Sequence, residues 1–176
     1  VSANSHDFDK TQTEWTFDVW NAGPDGTNLD FLIVPDRPWL SVTPATGAST
    51  GPDQRATVTV TVDRTQLTDP THTGTLTVRS QGSSRQSVNI TARTPQPAVG
   101  TSANGHTFAL DETQWTLEVW NAGDAGTTLE FQAATDKDWL SVTPAQGVSA
   151  DISDRATVTV AIDRAQVPSD ENNGMV

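Results

Sequence analysis

His6, His72 and His106 are the histidines of the chain, and with no cysteine present they bound the reactions it can run. A histidine works as a base or a metal ligand only beside a nucleophile, an orienting group or further ligands. Each of the three stands alone in a polar segment, so all are expected as solvent-exposed loop residues. Serine is plentiful, yet no Gly-x-Ser-x-Gly elbow occurs, and the missing cysteine removes thiolate nucleophiles, disulfides and thiolate metal sites. Asp25, Asp36 and Asp53 fall on predicted turns, where aspartate commonly bonds its own backbone instead of facing a second carboxylate across a cleft. They are also hard oxygen ligands of the kind calcium takes, but no D-x-[DN]-x-[DN]-G loop is present. The expectation is therefore a non-enzyme with no cofactor, calcium being the alternative kept open.

The tryptophans offer a different chemistry. In "EWTFDVWNAG", strand alternation puts Trp15, Phe17 and Val19 on one face and Thr16, Asp18 and Trp20 on the other. The first set is expected in the core. Trp20, pointing outward beside a Gly-rich loop, can stack on the C–H face of a sugar ring, or it can cover the end of the fold or pack on a neighbouring domain. The candidate carbohydrate-binding residues are accordingly Trp20, Asn21 and Asp25 with Trp120, Asn121 and Asp124. Trp39 and Trp139, in "WLSVTP", are expected to cap the core. Asp63 beside Arg64 and Asp163 beside Arg164 suggest local ion pairs or turn bonds. "NIT" at Asn89 fits a glycosylation acceptor but lies in a predicted strand.

These residues are positioned by a repeat. "WNAGPDGTNLDF" from Trp20 returns as "WNAGDAGTTLEF" from Trp120, "WLSVTPATG" from Trp39 as "WLSVTPAQG" from Trp139, and "RATVTVTVDR" from Arg55 as "RATVTVAIDR" from Arg155. A spacing of one hundred residues is too long for a solenoid unit and matches one β-sandwich. Two tandem domains follow, residues 1–94 and 101–176, joined by a Pro-containing segment 95–100 that Pro95 and Pro97 are expected to stiffen. Within the first repeat, Leu29, Phe31, Ile33, Ala56, Val58, Val60, Val62, Leu76, Val78, Val88 and Ile90 alternate with Thr-rich outward positions. Runs such as "NAGPDGTN" and "TPATGASTGPDQ" mark the reversals. The fold class is all-β: two immunoglobulin-like sandwiches, the second without its last strands. Those strands are expected either from a longer parent chain or from a neighbouring subunit.

The net charge of −12 opposes binding to nucleic acid or to an anionic membrane. No apolar run is long enough to cross a bilayer as a helix, so no membrane insertion is expected.

"FDVWNAG", "PWLSVTPATG", "ATVTVTVDRTQL", "HTGTLTVRSQG" and "SVNITA" resemble the BACON family of immunoglobulin-like domains, named for association with Bacteroidetes and for a proposed carbohydrate-binding role. The resemblance spans nearly all of the first repeat and the second up to about Val167. It implies secretion or a cell-surface location, attachment to larger enzymes, adhesins or repeat arrays, and no catalytic residues. Polysaccharide or glycan, self-association and neighbouring domains of a parent chain are the partners it suggests. Two functions stand open: a carbohydrate-binding or adhesion module, and a structural spacer or filament subunit completed by a neighbour's strand.

Overall fold

A computed structural model describes residues 1–80, 85–168 and 173–176, all-β and divided into two units, Val1–Thr94 and Pro95–Val176. In the first unit the strands are β1 (Ser5–Phe8), β2 (Glu14–Val19), β3 (Leu29–Pro35), β4 (Leu40–Thr43), β5 (Thr46–Ser49), β6 (Ala56–Val62), β7 (Thr71–Ser80) and β8 (Gln86–Arg93). They form a five-stranded sheet ordered β1-β8-β7-β3-β5 and a three-stranded sheet ordered β2-β6-β4.

The period-2 pattern of β6 buries Val58, Val60 and Val62 and turns Thr57, Thr59 and Thr61 to the other side. β2 lies antiparallel beside it, with Phe17 opposite Val58 and Trp15 opposite Val60. Ile33, Leu76, Val78, Val88 and Ile90 face them from the five-stranded sheet, and one continuous core joins the two layers. Each of these side chains stabilises the fold by about 1.5–3 kcal/mol on burial. Ala56, Leu29 and Trp15 are only half-buried at its rim, whereas Trp39 and Trp139 are buried at 6% and 7% exposure. The Asp63 carboxylate caps a 3-10 turn over Arg64–Gln66 by accepting from the Thr65 backbone nitrogen. Of the two expected possibilities it makes the turn bond. Arg64 instead donates to the backbone carbonyls of Asp9, Gln12 and Arg93.

The second unit contains β9 (Val99–Thr101), β10 (Gln114–Asn121), β11 (Leu129–Gln132), β12 (Leu140–Thr143), β13 (Gln146–Ser149) and β14 (Ala156–Ile162). A four-stranded sheet runs β12-β14-β10-β9, and β11 pairs with β13 alone. Partner supply explains the differences from the first unit. β3 reaches Pro35 because β7 pairs with Phe31 to Pro35, whereas β11 has only β13 and stops at Gln132. β1 exists because β8 holds it in parallel register, while the corresponding residues 105–108 form no strand.

Segment 95–100, expected as a Pro-stiffened connection, groups with the second unit. β9 pairs with β10, setting Gly100 opposite Trp120 and Val99 opposite Asn121. Pro95 and Pro97 have no N–H, and the N–H groups of Gln96 and Ala98 donate to Asp124 Oδ2 and Asn121 Oδ1 at 2.8 and 3.1 Å. Ala122 and Asp124 return backbone bonds to Ala98 and Gln96.

Candidate functional site

Strand β2 ends at Val19, and the loop that follows is closed by a single side chain. Asn21 Nδ2 donates to the backbone oxygen and hydroxyl of Thr27 at 2.9 and 2.8 Å, while its Oδ1 accepts from the Gly23 nitrogen at 2.9 Å. Gly26 takes φ +79°, a conformation that a Cβ would strain. Asn121 repeats every one of these bonds with Thr127 and Gly123, and Gly126 has the same φ. Asn21 and Asn121 are buried, at 7% and 3% exposure. Their polar atoms are engaged within the protein.

Trp20 and Trp120 are half-buried and each carries an arginine on its ring. The Arg55 guanidinium carbon lies 4.2 Å from the Trp20 centroid, and that of Arg155 lies 3.9 Å from the Trp120 centroid. Such cation–π stacking holds a guanidinium flat. The Trp120 indole also lies against the Gly100 backbone, where a Cβ would stand 2.4 Å from Nε1. Trp120 is therefore packed within its own unit. Asp124 is tied to Gln96, while Asp25 is exposed in the loop and makes no described bond. Asp124 corresponds to Pro24 and Asp25 to Ala125, so the two aspartates are not repeat equivalents.

Sequence reasoning missed the arginines. The signal was present, since the antiparallel register that puts Val19 opposite Ala56 continues outward to Trp20 and Arg55. It also missed Ser49 and Ser149, fully buried hydroxyls that accept from the backbone nitrogens of Asn21 and Asn121 at 2.8 Å.

In the first unit Trp20 lines a cleft of about 420 Å³ together with Val1, Gly23, Val78, Arg79, Ser80 and Gln86. The six predicted residues thus do not form two matching sites. Trp20 and Asn21 border this cleft, and Trp120, Asn121 and Asp124 hold their own loop and β9.

The histidines meet the expectation only in part. His6 stacks on Trp15 with centroids 4.3 Å apart and 4° between planes, and His106 stacks on Trp115 at 4.7 Å and 1°. His6 Nε2 meets Gln12 Oε1 at 3.2 Å, and His106 Nε2 meets Glu112 Oε1 at 2.9 Å. His6 is half-buried in β1 at the rim of the core, whereas His106 is exposed and lies outside any strand, as expected.

The carboxylates held below their usual range are loop caps. Asp9 is stabilised as the anion by the backbone N–H groups of Gln12 and Thr11, Asp63 by the Thr65 and Gln66 side chains, and Glu112 chiefly by the Ala109 N–H. Asp151 is held down by the hydroxyl and N–H of Ser153. Among the described residues no group of three or more His, Asp or Glu side chains is placed to hold a metal ion.

A family model described as the viral BACON domain matches residues 1–93 and again 101–176. No curated protein matches the chain. Among solved structures, the chain is similar to the crystal structure of the Pseudomonas aeruginosa CupB2 chaperone. That match has 16% identity and a TM-score of 0.44, over 92% of this chain and 86% of that one.

Proposed function

We propose that this chain, which belongs to the viral BACON domain family, is a non-catalytic carbohydrate-binding or adhesion module that works outside the cell, at a cell surface. Its glycan contact is the cleft of the first unit beside Trp20. The observation that carries this reading is the setting of Trp20: a half-buried indole, fixed by Arg55 on its ring, bordering a cleft whose other walls include Arg79, Ser80 and Gln86. Sugar sites combine an aromatic surface with a few directed polar groups in this way. Asn21 contributes by locking the loop, not by touching ligand.

Affinity electrophoresis through gels containing soluble polysaccharides tests the function. Retardation of the full chain by at least one neutral or acidic polymer is expected. Unchanged mobility across a panel covering glucans, mannans, xylans, galactans and uronans contradicts it.

A further inference from the structure

Asp25 is the one aspartate of the chain that a glycine follows. An aspartate and the next residue hold an electrophile and a nucleophile in one molecule: the side-chain carboxyl carbon Cγ and the following backbone nitrogen. Their reaction is intramolecular, so it depends on approach geometry and not on concentration. A side chain on the second residue obstructs that approach, and glycine has none.

The fold leaves this pair unhindered. Pro24 to Thr27 form a turn whose ends are held, because the Thr27 nitrogen and hydroxyl donate to the Pro24 oxygen at 3.3 and 2.7 Å. At its tip Asp25 is exposed, and neither its carboxylate nor the Gly26 N–H makes a hydrogen bond among the described residues. Gly26 has open space where a Cβ would stand. Other loop aspartates are restrained: Asp9, Asp63 and Asp151 each accept the backbone N–H two residues on, at 2.7, 3.0 and 2.7 Å. The second unit repeats the turn without the electrophile. Thr127 N donates to Asp124 O at 3.2 Å and Gly126 has the same φ of +79°, but the residue before it is Ala125.

We propose that Asp25–Gly26 is a self-modification site, which converts in the folded chain through a cyclic succinimide to isoaspartate. The Gly26 nitrogen bonds to Cγ of the protonated Asp25 carboxyl, and the Cγ–OH bond breaks, the hydroxyl leaving with the amide proton as one water. A second water then adds to the main-chain carbonyl carbon of the ring and breaks its bond to the Gly26 nitrogen, which regains a proton. Addition at Cγ instead restores aspartate. In the product Gly26 is joined through Cγ, the former main-chain carbonyl is a free carboxylate, and the composition is unchanged. One more carbon then lies in the backbone between Pro24 and Gly26, inside a turn whose ends are bonded.

The full chain is held in neutral buffer at physiological temperature for several weeks, with amide NMR confirming that it stays folded. Isoaspartate is then located by tryptic mapping with electron-transfer fragmentation. Asn104–Gly105 and Asn173–Gly174 lie in other tryptic segments and react with loss of ammonia, which changes the mass, so they are read apart from Asp25. Isoaspartate is expected to accumulate at residue 25 at a rate within about tenfold of that in an unstructured peptide covering residues 22–29. Ala125→Asp, which writes the same pair into the second unit, is expected to create a second site of similar rate. Conversion at residue 25 that is slower than the peptide by more than that factor overturns the inference, as does conversion that begins only when the chain is unfolded in urea. A variant second unit that stays unmodified while the first converts overturns the role given to the turn.

Discussion

The Ser49 hydroxyl oxygen lies 2.8 Å from the backbone nitrogen of Asn21, and it is fully buried as it accepts that hydrogen bond. The same oxygen is 2.7 Å from the Gln54 carbonyl, to which it can donate. One hydroxyl therefore ties the loop after β2 to the loop after β5, and Ser149 does the same for Asn121 and Asp154. Ser49→Ala leaves a buried N–H without a partner, so a loss of about 1–3 kcal/mol is expected. Chemical denaturation read on first-unit amide resonances checks it, with Ser149→Ala acting equally on the second unit.

Gly47 and Gly147 let a phenylalanine ring cross the sheet. A Cβ at either position would stand 2.5 Å from Cζ of Phe31 or Phe131. Since these rings are themselves buried, they have no room to retreat, and Gly147→Ala is expected to destabilise the second unit by about 1–3 kcal/mol. A melting temperature that does not move would show that the ring can shift.

Gly100 opposes Trp120 across the β9–β10 pair. Gly100→Val is expected to lift β9 from β10 and to release the bonds that Ala122 and Asp124 make to Ala98 and Gln96. Hydrogen exchange at those two amides should accelerate more than tenfold, while amides of β6 in the first unit keep their rates. Unchanged protection of Ala122 would contradict the packing of Trp120 over Gly100.

Acid should weaken both units through their loop caps. Asp9, Asp63, Glu112 and Asp151 have folded-state pKa values below their ordinary ones. A depressed carboxylate contributes stability that is fully present above its unfolded pKa and is lost as pH falls through the folded one. The melting temperature is expected to fall as pH drops below about 4, the ordinary carboxylate range. Asp63→Asn should flatten that fall in the first unit, and an identical slope in the variant would show that the cap does not contribute.

The sandwich was legible because its core obeys a period of two: Val58, Val60, Val88 and Ile90 sit where alternation puts them. Trp39 and Trp139 were read as caps of the core from the "WLSVTP" segment; both are buried, each in a turn beside a buried leucine and so outside the alternation. Long-range partners were not legible. A strand pattern places Trp20 outside the core, but it does not show that Arg55, 35 residues later, covers its ring. Local polarity made His6 look like a loop residue, while the fold places it in β1, half-buried against Trp15. A Pro-rich stretch suggested a connection, and the N–H groups alternating with its prolines bind it to the second unit. In each case the missing information was which distant residue completes a contact.

The most direct test replaces the tryptophans with 5-fluorotryptophan and follows the six fluorine resonances, assigned by single substitutions, as a retarding polysaccharide is added to the full chain. The account predicts that the Trp20 resonance moves with ligand and that the Trp120 resonance, between Arg155 and Gly100, stays in place. A fixed Trp20 signal at saturating ligand, or a Trp120 signal that moves in its stead, would contradict a glycan site in the first-unit cleft.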